Sequence, residues 1–228
     1  RWFQTRRVAE YLRHAPFMLF LGIARPAGSW PQSSDAGWPE DYVRSILREI
    51  GLPNVAISQA TLRTALEKWI GAHVAAQRAY HVAKAKKLQR IHHNLEAMSE
   101  RLFMLAMLVV ATYLIGEVAS WAGLLPIGVT HKASKLFTFL GVALPTLGGA
   151  LAGIHYFADF GRFAAISEST ANRLMAVEQR IATLLAAPDD ERDYGRVASI
   201  ARAVDQIVVS EIEHWQDVFG GKHISVPV

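Results

Sequence analysis

Glu117 is the residue with the clearest chemical potential, because it is the single charged side chain in the apolar run from Leu102 to Leu125. If this run crosses a membrane, a carboxylate facing lipid is unfavourable by about 2.5–3.5 kcal/mol. One interpretation is that Glu117 reaches the outer head groups. The other is that it lines a polar path between subunits, which Thr112 and Tyr113, one turn earlier, extend. These three residues are our candidate pore-lining set.

Nine histidines raise the question of a metal site. His73, His81, His92 and His93 are close in sequence, but no pair has the four-residue spacing that places two ligands on one helical face. We therefore expect no metal. The chain has no cysteine, which excludes disulfides, zinc–thiolate sites and thiol catalysis.

Motifs that mark enzymes are also missing from the sequence. There is no phosphate-binding loop, serine nucleophile elbow, HExxH pair or dinucleotide fingerprint. We expect no catalytic activity and no cofactor.

A second apolar run, from Leu136 to Phe157, contains a glycine-rich string. Gly141, Pro145, Gly149 and Gly153 recur every four residues and form one face of small residues, which lets membrane helices approach closely. This candidate packing face serves either the first apolar helix of the same chain or a neighbouring subunit. Pro145 is expected to kink the helix.

The candidate residues all lie in these two apolar runs, so the helices that the runs form determine where those residues are placed. Each has at least the roughly 20 apolar residues that a helix needs to cross the hydrocarbon core, and about 10 residues separate them. The sequence predicts a transmembrane helical hairpin with segments at 102–125 and 136–157. The alternative is a hairpin buried in the core of a soluble protein, although core helices rarely stay apolar on all faces.

The remainder of the chain is predicted to be helical, giving an all-α fold in three parts. Residues 1–57 form N-terminal cytoplasmic or interfacial helices and a loop; the first helix, to Ala24, either packs on later helices or lies in the head groups. Residues 58–188 form a long helical hairpin, and residues 189–228 a C-terminal cytoplasmic helix and tail.

Apolar residues stepping by three and four on both sides of the hairpin predict a long antiparallel cytoplasmic stalk. The second stalk helix is expected to continue from the apolar run without a break to Ala187. The predicted seam places Leu88, Ile91, Leu95 and Met98 against Phe163, Leu174, Val177 and Ile181.

The net charge of +4 comes from basic residues that are spread out or flank the apolar runs. We interpret them as membrane-related and expect no nucleic-acid partner. Their bias before Leu102 and after Phe157 predicts that both termini are cytoplasmic and that the loop from Pro126 to Ser134 is external.

This layout resembles the SLATT proteins, a family of bacterial two-transmembrane effectors. The resemblance covers the chain from Arg1 to Phe219. It is carried by the layout, by Trp2 with the following Arg-Arg-Val-Ala-Glu from Arg6 to Glu10, by the segment around Tyr80, and by Trp215.

The resemblance implies a homo-oligomeric, pore-forming or membrane-disrupting effector in the bacterial inner membrane, acting in antiviral defence. It also implies a nucleotide-signalling partner or a sensor domain, which we expect upstream of Arg1 because the sequence opens inside a helix. The competing hypotheses are a non-toxic membrane anchor for an upstream domain and an ion-channel scaffold.

Overall fold

The computed structural model describes residues 2–23, 37–54, 56–124 and 127–220. Every regular element in these ranges is helical. In chain order they are α1 (Trp2–Phe20), α2 (Gly37–Ile50), α3 (Gln59–Thr64), a π-helical segment (Ala65–Gly71), α4 (Ala72–Trp121), α5 (Ile127–Ala158), α6 (Phe160–Ala186) and α7 (Tyr194–Gly220). The prediction of an all-α fold with two long apolar helices is confirmed.

The chain divides into two compact units. The first unit comprises Arg1–Ala85 and Ala165–Val228, and the second comprises Lys86–Ala164. The first unit contains the buried core, and the second contains the apolar parts of α4 and α5.

In the first unit, α1 packs against α2 and α7 and is not a free surface helix. It ends in a glycine cap at Gly22, whose φ of 62° is accessible to glycine at little cost. The amide of Ile23 donates to the carbonyl of Met18 at 2.8 Å, which closes the last turn. Of the two interpretations of this segment, packing on later helices holds for the described residues.

The long helix begins where the sequence predicts, because the Ser58 side chain accepts a hydrogen bond from the amide of Thr61. The π-helical segment that follows inserts extra backbone before α4. At its end, a β-carbon on Gly71 would lie 2.6 Å from the carbonyl oxygen of Leu66. The local backbone therefore requires a glycine here, for steric reasons that helical periodicity does not reveal.

The core face of α6 consists of Leu174, Val177 and Ile181, each no more than 4% exposed. These side chains belong to one cluster with residues of the π-helical segment, α4 and α7, namely Leu66, Ile70, Val74, Val197, Ala201 and Val204. The predicted partners of these three residues, from Leu88 to Met98, are therefore wrong. The three-and-four step identified the buried face of α6 but could not identify which residues cover it.

Two predicted boundaries around the apolar runs also need correction. The helix α5 begins at Ile127, so most of the predicted external loop is helical; Leu125 and Pro126 lie outside the described residues. The helix can start this early because no proline occurs between Pro126 and Pro145, and the polar residues of that stretch are compatible with a helix. The predicted continuous second helix is interrupted at Asp159, whose φ of 50° ends α5.

The apolar helices are largely uncovered in this chain. The stretches Gln59–Trp121 and Ser134–Ala186 each contain a segment long and apolar enough to span a membrane, and only 11% and 6% of the residues of those segments are buried. Ile115, Val118 and Trp121 are 69%, 68% and 90% exposed. A core hairpin of a soluble monomer would be mostly buried, so that alternative does not describe this chain.

Candidate functional site

Within the second unit, α4 and α5 pack antiparallel. Four contacts along the pair show this arrangement, because each later residue of α4 contacts an earlier residue of α5. These join His92 to His155, Leu102 to Gly148, Val110 to Gly141, and Tyr113 to Phe137. The contacts fix the register of the helix pair that carries every candidate residue.

Gly148 lies at a close contact between these helices. The Ser99 hydroxyl donates a hydrogen bond to the Gly148 carbonyl at 3.0 Å. A β-carbon at Gly148 would lie 3.5 Å from the Leu102 β-carbon and from the Ser99 carbonyl oxygen. The sequence pattern assigned the packing role to the next residue, Gly149, because it lies on the four-residue repeat.

The predicted small-residue face mostly does not contact α4. A β-carbon on Gly149 or Gly153 would meet no atom within 4 Å, and Pro145 is exposed. Only Gly141 lies near α4, with Val110 at 3.9 Å from its β-position. Packing inside the hairpin therefore accounts for Gly141 but leaves the other three residues uncovered. Pro145 and Gly149 line an open groove of about 720 Å³ together with Glu96, Ser99 and Glu100 of α4.

The candidate polar residues of α4 differ in their surroundings. The Thr112 hydroxyl donates to the carbonyl of Leu108 at 2.8 Å, so its polarity is satisfied within its own helix. Tyr113 stacks near Phe137 of α5 with ring centroids 5.5 Å apart. Glu117 lies one turn after Tyr113, on the same face of α4. Its side chain is partly buried. It forms no ion pair or side-chain hydrogen bond with any residue in the described ranges. Tyr113 and Glu117 therefore share one face of α4, and Thr112 lies on another.

A histidine pair joins the two helices at the opposite end of the hairpin. His155 Nε2 and His92 Nδ1 are 2.6 Å apart, a distance that requires a hydrogen bond. Both residues are partly buried. Because the two histidines belong to different helices, the spacing of histidines along one helix does not predict this pair.

The first unit contains a second polar group that the sequence analysis did not predict. His14 of α1 is completely buried, and its Nδ1 is 3.0 Å from an Asp205 carboxylate oxygen of α7. Its other ring nitrogen, Nε2, is buried without a hydrogen-bond partner. The His14 ring also meets His73 edge-on, with centroids 5.0 Å apart.

Glu211 anchors the neighbouring part of α7 to α4. The Lys84 ammonium lies 3.1 Å from one Glu211 oxygen, and His81 Nε2 lies 3.5 Å from the other. Lys84 also sits 4.2 Å from the centre of the Trp215 ring, within cation–π range. The sequence signal was available, since Asp205 and Glu211 share α7 with the apolar residues that line its buried face.

Burial controls the protonation of two of these histidines. Desolvation by burial, with smaller electrostatic contributions from the neighbouring His14 and Arg13, lowers the pKa of His73 from 6.5 to about 4. Desolvation also lowers the pKa of His81, against the opposing attraction of Glu211. Both imidazoles are therefore neutral at pH 7 and contribute no positive charge to the contacts between α1, α4 and α7.

The described residues contain no group of three or more histidine, aspartate or glutamate side chains that could hold a metal ion. None of the protein-family models, curated proteins or solved structures compared with this chain matches it.

Proposed function

We propose that this chain is a membrane effector that inserts its α4–α5 hairpin into a bilayer, assembles with copies of itself and makes the membrane permeable. The uncovered apolar surface of the two helices carries this proposal. Soluble monomers rarely expose contiguous apolar patches of more than a few hundred Å². A lipid bilayer would cover the exposed apolar surface on all sides of the two helices, whereas a single protein partner would cover only one side.

The open faces of the hairpin support assembly. Gly149 and Gly153 are available for close approach by a helix of another copy. Glu117 gains a polar environment if several copies turn it toward a shared interior, since lipid solvates a carboxylate poorly. Assembly therefore gives both features a role that one hairpin does not supply.

The biological setting of the proposal comes from the resemblance to the SLATT proteins. It is the bacterial inner membrane with both termini cytoplasmic, in an antiviral response that kills or arrests the host cell. A sensor domain or nucleotide-signalling partner outside this segment controls the effector. The basic residues before Leu102 and after Phe157 support that orientation.

The test is a leak assay on liposomes containing the purified chain, paired with membrane-potential measurements in bacteria after induced expression. The expected result is dye or ion release and loss of viability. The control replaces the lipid-facing residues Leu108 and Ile115, which are 62% and 69% exposed, by lysine. We expect the control to lose leak and membrane association together.

The second hypothesis is a membrane anchor without toxicity, which the same exposed hairpin favours. Under that hypothesis the chain sediments with membranes and the Leu108→Lys, Ile115→Lys variant becomes soluble, but neither changes conductance or viability. Membrane association without leak therefore selects the anchor, whereas leak that requires the hairpin selects the effector.

A further inference from the structure

The His92–His155 hydrogen bond joins the two apolar helices near the point where α5 ends. One nitrogen must donate and the other must accept across the 2.6 Å distance, so a single proton lies between the rings. Gly161 also lies close to the His92 ring, since a β-carbon added there would come within 3.1 Å of it. The ring therefore has little room to turn away from His155.

The contact depends on the protonation state of the pair. A histidine with both nitrogens protonated has only donors. If both rings carry a second proton, neither offers an acceptor, and two positive charges stand at contact distance. Histidine is the side chain that changes charge between pH 5 and 8, and both residues are accessible to solvent protons because they are only partly buried.

Other charged groups surround the pair on each neighbouring element. On α4, the His93 ring lies 5.5 Å from that of His92, and its Nδ1 is 3.8 Å from Glu96. Glu96 and Glu100 line the same groove as His155. Asp159 and Arg162 flank Gly161 in the sequence. Carboxylates and the Arg162 cation both lie at this end of the hairpin, so the charge around the pair is mixed.

We propose that His92 and His155 form a proton-operated latch: while at least one ring is neutral, the shared proton closes this end of the α4–α5 hairpin, and protonation of both rings opens it. The opening is local, because the Ser99–Gly148 contact two turns along α4 has no titratable group. This proposal describes a movement within the hairpin and does not depend on whether the chain makes membranes permeable.

The test measures distances between spin labels on the full chain in lipid nanodiscs at about pH 8 and about pH 5. Because the chain has no cysteine, labels at exposed Asn94 and Ile154 report the latch end. Labels at exposed Val118 and Leu136 report the other end. We expect a longer distance to appear in acid for the first pair and no change for the second.

Two variants make the test specific. In His155→Gln an amide still hydrogen-bonds His92 but cannot take a second proton, so the acid response should be lost with the distance at pH 8 retained. In the matched control His93→Gln, an exposed neighbour is removed, and the response should remain. An acid response that survives His155→Gln, disappears in His93→Gln, or is absent from the unmodified chain overturns the proposal.

Discussion

The Ser99 hydroxyl donates a hydrogen bond to the backbone carbonyl of Gly148 at 3.0 Å and so joins α4 to α5 at a close contact. A β-carbon at Gly148 would already be in van der Waals contact with Leu102 and Ser99, so a longer side chain has no free space there. The adjacent Gly149 has open space around it. The two glycines therefore offer a comparison in which one substitution tests the hairpin and the other tests assembly.

We expect Gly148→Leu to separate the helices, at about 1–3 kcal/mol or more for overpacking a close contact. Gly149→Leu should leave the hairpin intact and reduce self-association. Thermal unfolding measures the first effect, and size analysis in nanodiscs at several protein-to-lipid ratios measures the second. Normal assembly of Gly149→Leu with an intact hairpin would show that the small-residue face does not join subunits.

Glu117→Gln should change conductance more than it changes stability. The substitution removes the charge but keeps the size of a side chain that makes no ion pair with the described part of the chain. Single-channel recording or ion-selective leak in liposomes measures the effect, with Thr112→Val as the matched control on a different face of α4. Equal conductance in the Glu117 variant and the unmodified chain would exclude a polar path through this residue.

The orientation can be tested with a single cysteine in each of two exposed turns. Leu124→Cys lies in the turn after α4 and is predicted to react from outside the cell, since Leu124 is 78% exposed. Asp190→Cys lies in the turn after α6 and should react from the cytoplasmic side alone. The measurement is labelling of intact and permeabilised cells with an impermeant maleimide, and the reverse pattern would place the termini outside.

The first unit should lose stability as pH falls from about 6.5 to about 4. Folding lowers the pKa of His73 from 6.5 to about 4, so the unfolded chain binds its proton first and acid favours unfolding. The contribution of His73 is at most about 3 kcal/mol at 1.36 kcal/mol per unit, and partial exposure reduces it. The lowered pKa of His81 acts in the same direction.

Hydrogen exchange of the α1 and α7 amides measures this loss within the first unit. The His73→Gln variant should show a shallower pH dependence than the unmodified chain. The exposed residue His93 provides the control, because His93→Gln should leave the slope of these amides unchanged. An identical slope in all three proteins would mean that His73 is not the group that couples protons to folding.

Gly71→Ala should destabilise the start of the long helix. The new β-carbon would lie 2.6 Å from the Leu66 carbonyl, so the backbone must shift, at about 1–3 kcal/mol. In an ordinary helix the same change is stabilising, because alanine has the higher helix propensity. The exchange rate of the amides around Leu66 distinguishes the two outcomes, and slower exchange in the variant would contradict the π-helical geometry.

The sequence by itself determined the helical class and the two long apolar helices, but not where α5 begins or ends. Runs of more than 20 apolar residues predict long helices because such length and composition are typical of membrane spans. The predicted start at residue 58 and end at Ala187 agree with α3 and α6 to within one residue, and the three-and-four step identified the buried face of α6. These signals are local: each depends on residues within a few turns of one another.

Only the tertiary structure decided which faces meet. The periodicity of Leu174, Val177 and Ile181 is satisfied by any apolar partner, so it did not distinguish Leu66 from Leu88. Gly148 and Gly149 are identical in type, and the rotation of α5 against α4 alone gives the close contact to the first. The pairs His14–Asp205 and His92–His155 join residues 191 and 63 positions apart, and no helical spacing encodes a contact formed when separate helices pack.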